Sequence, residues 1–162
     1  MTGLSVLQQC LGLAVCLCVV LVGGAIGIPL TSNAVATWYQ DLLRPPWTPP
    51  GFVFAPVWTG LYLIMAFAAW MIWREDRAPD RRPALILFAV QFLLNIAWTP
   101  IFFGARLFAL AAVEIVLLWF SVLFCILAFR RVRPLAAWIM LPYLAWVGFA
   151  CLLNVSIWWL NR

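Results

Sequence analysis

The sequence predicts an all-α membrane protein, a bundle of five transmembrane helices with a loop rich in Pro and Trp between helices 1 and 2. Of its 162 residues, 67% are hydrophobic and only 9% are charged, whereas a soluble domain is about 45–50% apolar and about 25% charged. The apolar residues also fall into five runs, each long enough to provide the roughly 20 residues that cross a bilayer. This composition argues against a soluble enzyme, a disordered chain and a secreted disulfide scaffold.

Each apolar run is assigned as a helix, because every backbone polar group in hydrocarbon must be bonded internally. The predicted helices are roughly 4–30, 54–73, 84–103, 107–129 and 135–160, within one membrane domain, 1–162. The first run is followed by Ala34-Val35-Ala36, which resembles a signal-peptidase site. However, the run lacks a basic start and exceeds the apolar core of about 7–15 residues in a signal peptide. We therefore expect the first helix to be retained.

The arginines predict the orientation of the bundle. All ten basic residues are Arg, and there is no His. Seven of them follow the second and fourth spans: Arg74, Arg77, Arg81, Arg82, Arg130, Arg131 and Arg133. The positive-inside rule places these loops and the N-terminus in the cytoplasm and the C-terminus outside. The all-Arg set, without a long targeting extension, favours a bacterial inner membrane. Nucleic-acid binding would require a basic face or groove, and the sequence shows neither.

Polar and aromatic residues recur at helical spacing within three of the spans. They are Trp58 and Tyr62 in the second span, Gln91, Asn95 and Trp98 in the third, and Tyr143, Trp146, Ala150 and Asn154 in the fifth. Such faces suit a pocket for a large planar apolar ligand with a polar edge. Alternatively, the amides only hold helices together. Periodicity alone leaves both interpretations open.

Catalytic and metal-binding groups are scarce. Without His, the chain has no Ser-His triad and no His-ligated haem or zinc. The five cysteines lie in apolar runs without a CxxC motif, so they are interpreted as small buried apolar residues and no metal site is expected. Glu114 is the only acid within a span, and we expect it to pair with an arginine or to reach the membrane interface.

Two further features concern helix packing and the first loop. Gly23 and Gly27 form a GxxxG motif, which is a candidate helix-packing face. The first loop, about 31–53, carries four prolines around Trp47, and these prevent a continuous helix. A stiff aromatic loop over a helix bundle resembles a lid. The alternative is an interfacial belt, because Trp and Tyr favour the depth of the lipid headgroups.

Several motifs, in order and in register, resemble the translocator protein family, also called the TspO or peripheral-type benzodiazepine receptor family. The matching segments are WY at 38–39, PWTPP at 46–50, PVWTGLY at 56–62, WTPIFFGAR at 98–106, PYLAW at 142–146 and LN at 153–154. The first span matches only by its length and its glycine content. The resemblance is to bacterial members of the family.

This resemblance implies a five-helix bundle, commonly a homodimer, with a ligand pocket under the first loop. It implies binding of porphyrins such as protoporphyrin IX or haem, and of isoquinoline-carboxamide or benzodiazepine-type ligands, with no required cofactor. By position, the pocket residues would be Trp47, Trp58, Tyr62, Asn95, Trp98, Trp146 and Ala150. The implied role is that of a membrane sensor or transporter.

Two alternative functions stay open at this point. One is photooxidative degradation of porphyrin, for which Trp47 and Trp146 would be the candidate catalytic residues, with no others assigned. The other is a non-enzymatic scaffold that acts through partner proteins. The family's cholesterol motif is not matched, since Val155 stands where the motif requires Tyr. This departure argues against cholesterol as the natural ligand. Gly51-Phe52 also replaces a Trp that is common in the loop.

Overall fold

The computed structural model describes residues 3–162, which form helices, turns and loops without a β-strand. The helices are α1 Val6–Ala25, α2 Ile28–Ala36, α3 Gly51–Trp73, α4 Arg81–Thr99, α5 Phe108–Val132, α6 Pro134–Ile139 and α7 Leu141–Leu160. Five segments are long and apolar enough to span a membrane, with α1–α2 and α6–α7 each making one. The predicted five-helix membrane fold is confirmed. Residues 1 and 2 of the predicted domain lie outside the described part.

Prolines divide two of the spans that were predicted to be continuous. A proline has no N–H, and its ring clashes with the carbonyl four residues earlier. Accordingly, Pro29 lies four residues after Ala25, the last residue of α1, and Pro142 follows the break between α6 and α7. Because α2 continues to Ala36, the predicted end of the first helix near residue 30 is wrong. The loop between the first two spans is therefore shorter than predicted, and it contains a 3₁₀ turn at Trp38–Asp41.

The fourth span is the centre of the bundle. Half of its most apolar window is buried, whereas no other span exceeds 28%. Helix α5 packs against α4, α6 and α7, and α1 packs against α3 on the outside. Small residues line several of these contacts: Ala66, Ala68 and Ala69 on α3, Ala111 and Ala112 on α5, and Ala136 and Ala137 on α6. Small residues allow membrane helices to approach closely, and this gain in dispersion contact holds them together.

Three glycines near the C-terminal end of α1 pack against other helices of the same chain. A Cβ atom at Gly23 would overlap the ring of Phe92, and one at Gly27 would overlap the Thr99 side chain. A Cβ at Gly24 would overlap the ring of Tyr62. The GxxxG motif therefore forms a contact with α4 of the same chain, and the neighbouring Gly24 allows α1 to pack closely against α3.

Side-chain bonds close both ends of the bundle. At one end, here called the arginine-rich face, Arg133 forms an ion pair with Glu75 and so joins the α5–α6 junction to the α3–α4 loop. At the opposite end, the loop face, the amide of Asn161 donates to the Leu43 carbonyl at 2.9 Å and accepts from the Leu43 N–H at 3.0 Å. Asn161, which directly follows α7, therefore holds the first loop in place.

Replacing Gly23 by Ala should destabilise the protein, because the added methyl group displaces the Phe92 ring. Overpacking of this kind costs about 1–3 kcal/mol, which should appear as a melting temperature several degrees lower in detergent. Gly60→Ala is the matched control, since a Cβ on this α3 glycine meets no atom within 4 Å. An equal effect of the two substitutions would show that the GxxxG contact is not a packing constraint.

Candidate functional site

A chain of three hydrogen bonds, two of them buried, joins the second, third and fifth spans. The Tyr62 hydroxyl donates to Asn95 Oδ1 at 3.1 Å, Asn95 Nδ2 donates to the Tyr143 hydroxyl at 3.1 Å, and that hydroxyl donates to Gln91 Oε1 at 3.1 Å. Gln91 and Tyr143 are fully inaccessible to solvent. A polar group left unpaired in a nonpolar interior costs about 1–3 kcal/mol, so this network fixes α3, α4 and α7 relative to one another.

The network gives Asn95 a structural role. Its carbonyl oxygen and its amide nitrogen both contact tyrosine hydroxyls, as the helix-holding interpretation of the amides expects. Tyr62, in contrast, lies at the edge of the network, where its ring is half-buried. The Trp58 ring lies 5.5 Å from it, centroid to centroid, at an angle of 32°. The network therefore ends at an aromatic surface.

Five of the seven sequence-predicted residues pack against one buried core. These are Trp58, Tyr62, Trp98, Trp146 and Ala150, contributed by α3, α4 and α7. Trp98 lies at the loop-face end of α4 and stacks on Phe102, with centroids 4.9 Å apart at 21°. Its indole N–H is buried without a partner in the part of the chain that the structure describes. The site therefore offers flat rings and one unused donor.

The seventh predicted residue, Trp47, joins this region through Phe149. Its ring lies on the first loop, 5.7 Å from Phe149 in an edge-on arrangement. Phe149 in turn lies 5.5 Å from Trp146, which lies 6.0 Å from Phe54. Trp47 remains 47% exposed, so it covers the aromatic cluster without being buried in it.

A second aromatic layer lies beside the loop, with cations above it. The Arg106 guanidinium lies 4.6 Å from the centre of the Trp38 ring, and that of Arg44 lies 5.2 Å from the Tyr39 ring. Burial raises the pKa of the Tyr39 hydroxyl, and the charge of Arg44 opposes this shift. Arg106 also has a φ of 56°, a left-handed conformation that is uncommon for a non-glycine residue. The tight reversal between α4 and α5 thus brings its cation over the loop.

Neither of two hollows at the protein surface is lined by any of the seven predicted residues. One, of about 310 Å³, is an apolar groove between α1 and α3 near Gly12 and Trp73. The other, of about 470 Å³, lies in the first loop between Leu42 and Gly51. Two groups of the predicted rings are in contact, Trp58 with Tyr62 and, through Phe149, Trp47 with Trp146, so a planar ligand inserted within either group would have to separate its rings.

Two buried polar residues of the loop-face half differ from expectation. The pairing or interfacial location expected for Glu114 is wrong, because its side chain is 7% exposed and neither carboxyl oxygen has a hydrogen-bond partner among residues 3–162. It faces inward because it shares the buried side of α5 with Leu118. Asn154, on the inward face of α7, is 2% exposed, and its amide likewise has no partner among those residues.

The structure adds three residues to the predicted site. Tyr143 was placed on the inward face of α7 but not in the site, although its hydroxyl is the centre of the network. Its spacing from Ala150 and Asn154 was the available signal. Phe54 and Phe149 connect the aromatic rings of α3, α7 and the loop. Nothing in the sequence distinguishes them from the other ten phenylalanines of the chain.

Known proteins resemble this chain over most of its length. Residues 14–160 match the model of the TspO/MBR family. The "Tryptophan-rich protein TspO" of Chlorobaculum tepidum is 37% identical over 95% of this chain and 98% of its own. The "Translocator protein" of Ovis aries is 38% identical over 86% of this chain and 84% of its own. The "Tryptophan-rich sensory protein" of Cereibacter sphaeroides is 34% identical over 85% of this chain and 87% of its own.

Replacing Asn95 by Ala should destabilise the ligand-free protein, because the hydroxyls of Tyr62 and Tyr143 lose a partner in the bundle interior. The expected loss is about 1–2 kcal/mol, measured as a lower melting temperature without any ligand. Asn33→Ala, on the exposed surface of α2, is the matched control and should have no measurable effect. If both variants melt like the wild type, the network does not hold the spans together.

Proposed function

The chain belongs to the TspO/MBR family, and on that premise we propose that it is a membrane sensor or transporter that binds tetrapyrroles such as protoporphyrin IX or haem. The observation that carries this proposal is the placement of Trp58, Trp98 and Trp146, on three different spans, against one buried core. Flat rings arranged in this way are suited to a planar macrocycle, because offset stacking of aromatic surfaces is favourable beyond the apolar area that it buries.

The route to this site leads past Trp47. The rings of Trp47, Phe149 and Trp146 are in sequential contact, so a macrocycle enters only when this contact opens. The loop that carries Trp47 is stiffened by prolines on both sides of it, because Pro-rich segments are semi-rigid. We therefore interpret the loop as a lid, and synthetic isoquinoline carboxamides would reach the site by the same route.

The arginines of the loop face supply partners for the acidic side chains of a tetrapyrrole. Arg44 and Arg106 lie over aromatic rings, and the one ion pair among residues 3–162 joins other residues, Arg133 and Glu75. A guanidinium binds a carboxylate through two parallel hydrogen bonds. A macrocycle seated among the tryptophans would thus direct its propionates toward the loop face.

The charge asymmetry of the bundle supports a bacterial inner membrane as the location. The arginine-rich face contains seven of the ten arginines, and such loops stay on the cytoplasmic side. The loop face and the binding site would then open toward the periplasm. A homodimer in the membrane completes the proposal, in line with the family resemblance of the sequence.

Replacing Trp146 by Leu should weaken protoporphyrin IX binding about 5- to 10-fold, because one stacking surface is lost. The dissociation constant is measured by quenching of tryptophan fluorescence in detergent or nanodiscs. Trp138→Leu is the matched control, since this α6 residue is 67% exposed on the surface of the bundle. The Trp138→Leu variant should bind protoporphyrin IX with the affinity of the wild type.

Two outcomes would contradict the proposed site. If the Trp146 variant binds protoporphyrin as tightly as the Trp138 variant does, the aromatic cluster is not where the ligand sits. If no tetrapyrrole raises the melting temperature of the wild-type protein, the chain is not a tetrapyrrole binder, because a ligand that binds the native state must stabilise it.

A further inference from the structure

We propose that the arginine-rich face binds one anionic phospholipid on the α1 side of the bundle. An acyl chain of this lipid lies in the apolar groove between α1 and α3, and its phosphate contacts Arg74 and Arg81, whose guanidiniums lie over tryptophan rings beside α1. The site is separate from the aromatic cluster near the loop face, and it does not depend on the proposed function.

The groove lies at the end of α1 that is nearest the arginine-rich face and has a volume of about 310 Å³. Its lining is apolar except for one amide, and consists of Gln8, Leu11, Gly12, Val15, Cys16 and Trp73. Leu11 and Val15 are exposed, so the groove is open to the lipid phase. A hydrocarbon chain that fills it supplies dispersion contacts that the lining atoms otherwise lack.

Two tryptophans at the end of α3 contact the first turns of α1. The Trp70 indole N–H donates to the Gln9 carbonyl oxygen at 2.9 Å. Trp73, which lines the groove, lies so close to Gly12 that a Cβ atom at that position would overlap its ring. Glycine at position 12 therefore allows the ring to lie directly against α1, and both indoles are fixed at the edge of the groove.

A cation lies over each of these rings. The Arg74 guanidinium lies 4.8 Å from the centre of the Trp70 ring, and that of Arg81 lies 5.9 Å from the Trp73 ring. The faces of indole rings attract cations, so both charges are held beside the groove. Neither arginine belongs to the one ion pair among residues 3–162, and the Nε of each is buried there without a hydrogen-bond partner. Both guanidiniums therefore remain available to an anion.

The charge balance of this face favours a lipid with a net negative head group. Seven arginines stand against three acids, Glu75, Asp76 and Asp80, and Glu75 is already paired with Arg133. A guanidinium binds a phosphate through two parallel hydrogen bonds, and basic pockets at the cytoplasmic ends of membrane helices bind anionic head groups. The first span is also the least buried of the five, so a lipid that contacts both α1 and α3 adds packing that the protein itself does not supply.

The test compares two phospholipids with identical oleoyl chains. Phosphatidylglycerol has one net negative charge, and phosphatidylcholine has none. Each is titrated into the full-length protein in detergent, and native mass spectrometry gives the dissociation constant of the first bound lipid. The wild type should prefer phosphatidylglycerol, and higher salt should reduce this preference by screening the charges. Phosphatidylglycerol should also raise the melting temperature more than phosphatidylcholine does, because a ligand that binds the native state stabilises it.

Replacing Arg74 and Arg81 together by Gln should lower the preference for phosphatidylglycerol about 25-fold, since each arginine near a lipid surface contributes about 5-fold. The matched control replaces Arg130 and Arg131 by Gln. This control removes the same charge from the same face, but at the exposed end of α5, and it should leave the preference as it is in the wild type.

A second pair of variants tests the groove without changing any charge. Val15→Phe places a ring in the groove and should weaken the binding of both lipids at the first site. Val19→Phe lies one turn further along α1, where it is exposed but outside the groove, and it should bind both lipids like the wild type. This pair keeps the proposal testable if the Arg74 and Arg81 variant does not fold.

Three results would overturn the proposal. Equal affinity of the wild type for the two lipids would show that no anionic site exists. An equal loss of preference in both double arginine variants would show general attraction to a basic face. If Val15→Phe separates a dimer but leaves lipid binding unchanged, the groove is an interface between two copies of the chain. Because none of these measurements involves a tetrapyrrole, failure here leaves the proposed function untouched.

Discussion

The hydrogen bonds among Tyr62, Asn95, Tyr143 and Gln91 hold three of the five spans in a fixed relative orientation. In a bilayer the hydrophobic effect does not drive helices together, since lipid tails are as apolar as the side chains. Directional bonds between side chains add a constraint on how each helix is rotated about its own axis. The network therefore fixes which faces of α3, α4 and α7 turn inward, and with them the tryptophans that share those faces.

Much of the fold can be predicted from the sequence because hydrophobic length is a local property. Each span contains enough consecutive apolar residues to cross a membrane, and the inward faces follow from helical spacing, as Gln91, Asn95 and Trp98 show. The helix breaks at Pro29 and Pro142 could also have been predicted from the sequence, because the clash of a proline with the preceding turn is a local effect. The path of the first loop depends on its bonds to Asn161, which lies 118 residues after Leu43. The local sequence of the loop contains no signal that predicts so distant a partner.

The site was predictable in its residue types but not in its connections. Trp58 and Tyr62 were expected on one face, and they lie in contact. That Asn95 serves tyrosines on both sides could not be deduced, because α4 and α7 are distant in sequence and either amide orientation fits the spacing. Glu114 shows the same limit, since an acid in a span suggests an ion pair only if a cation lies opposite it, and neither of its carboxyl oxygens has a partner among residues 3–162.

The bonds between Asn161 and Leu43 have a consequence for biosynthesis. Membrane proteins are inserted from the N-terminus onward, and domains generally fold in the order in which they are made. The first loop therefore enters its compartment long before the residue that holds it has been translated. Likewise, the amides of the third span must wait for Tyr143 of the fifth. The first loop and the interior beneath it therefore reach their final form together, only after the fifth span and Asn161 have been made.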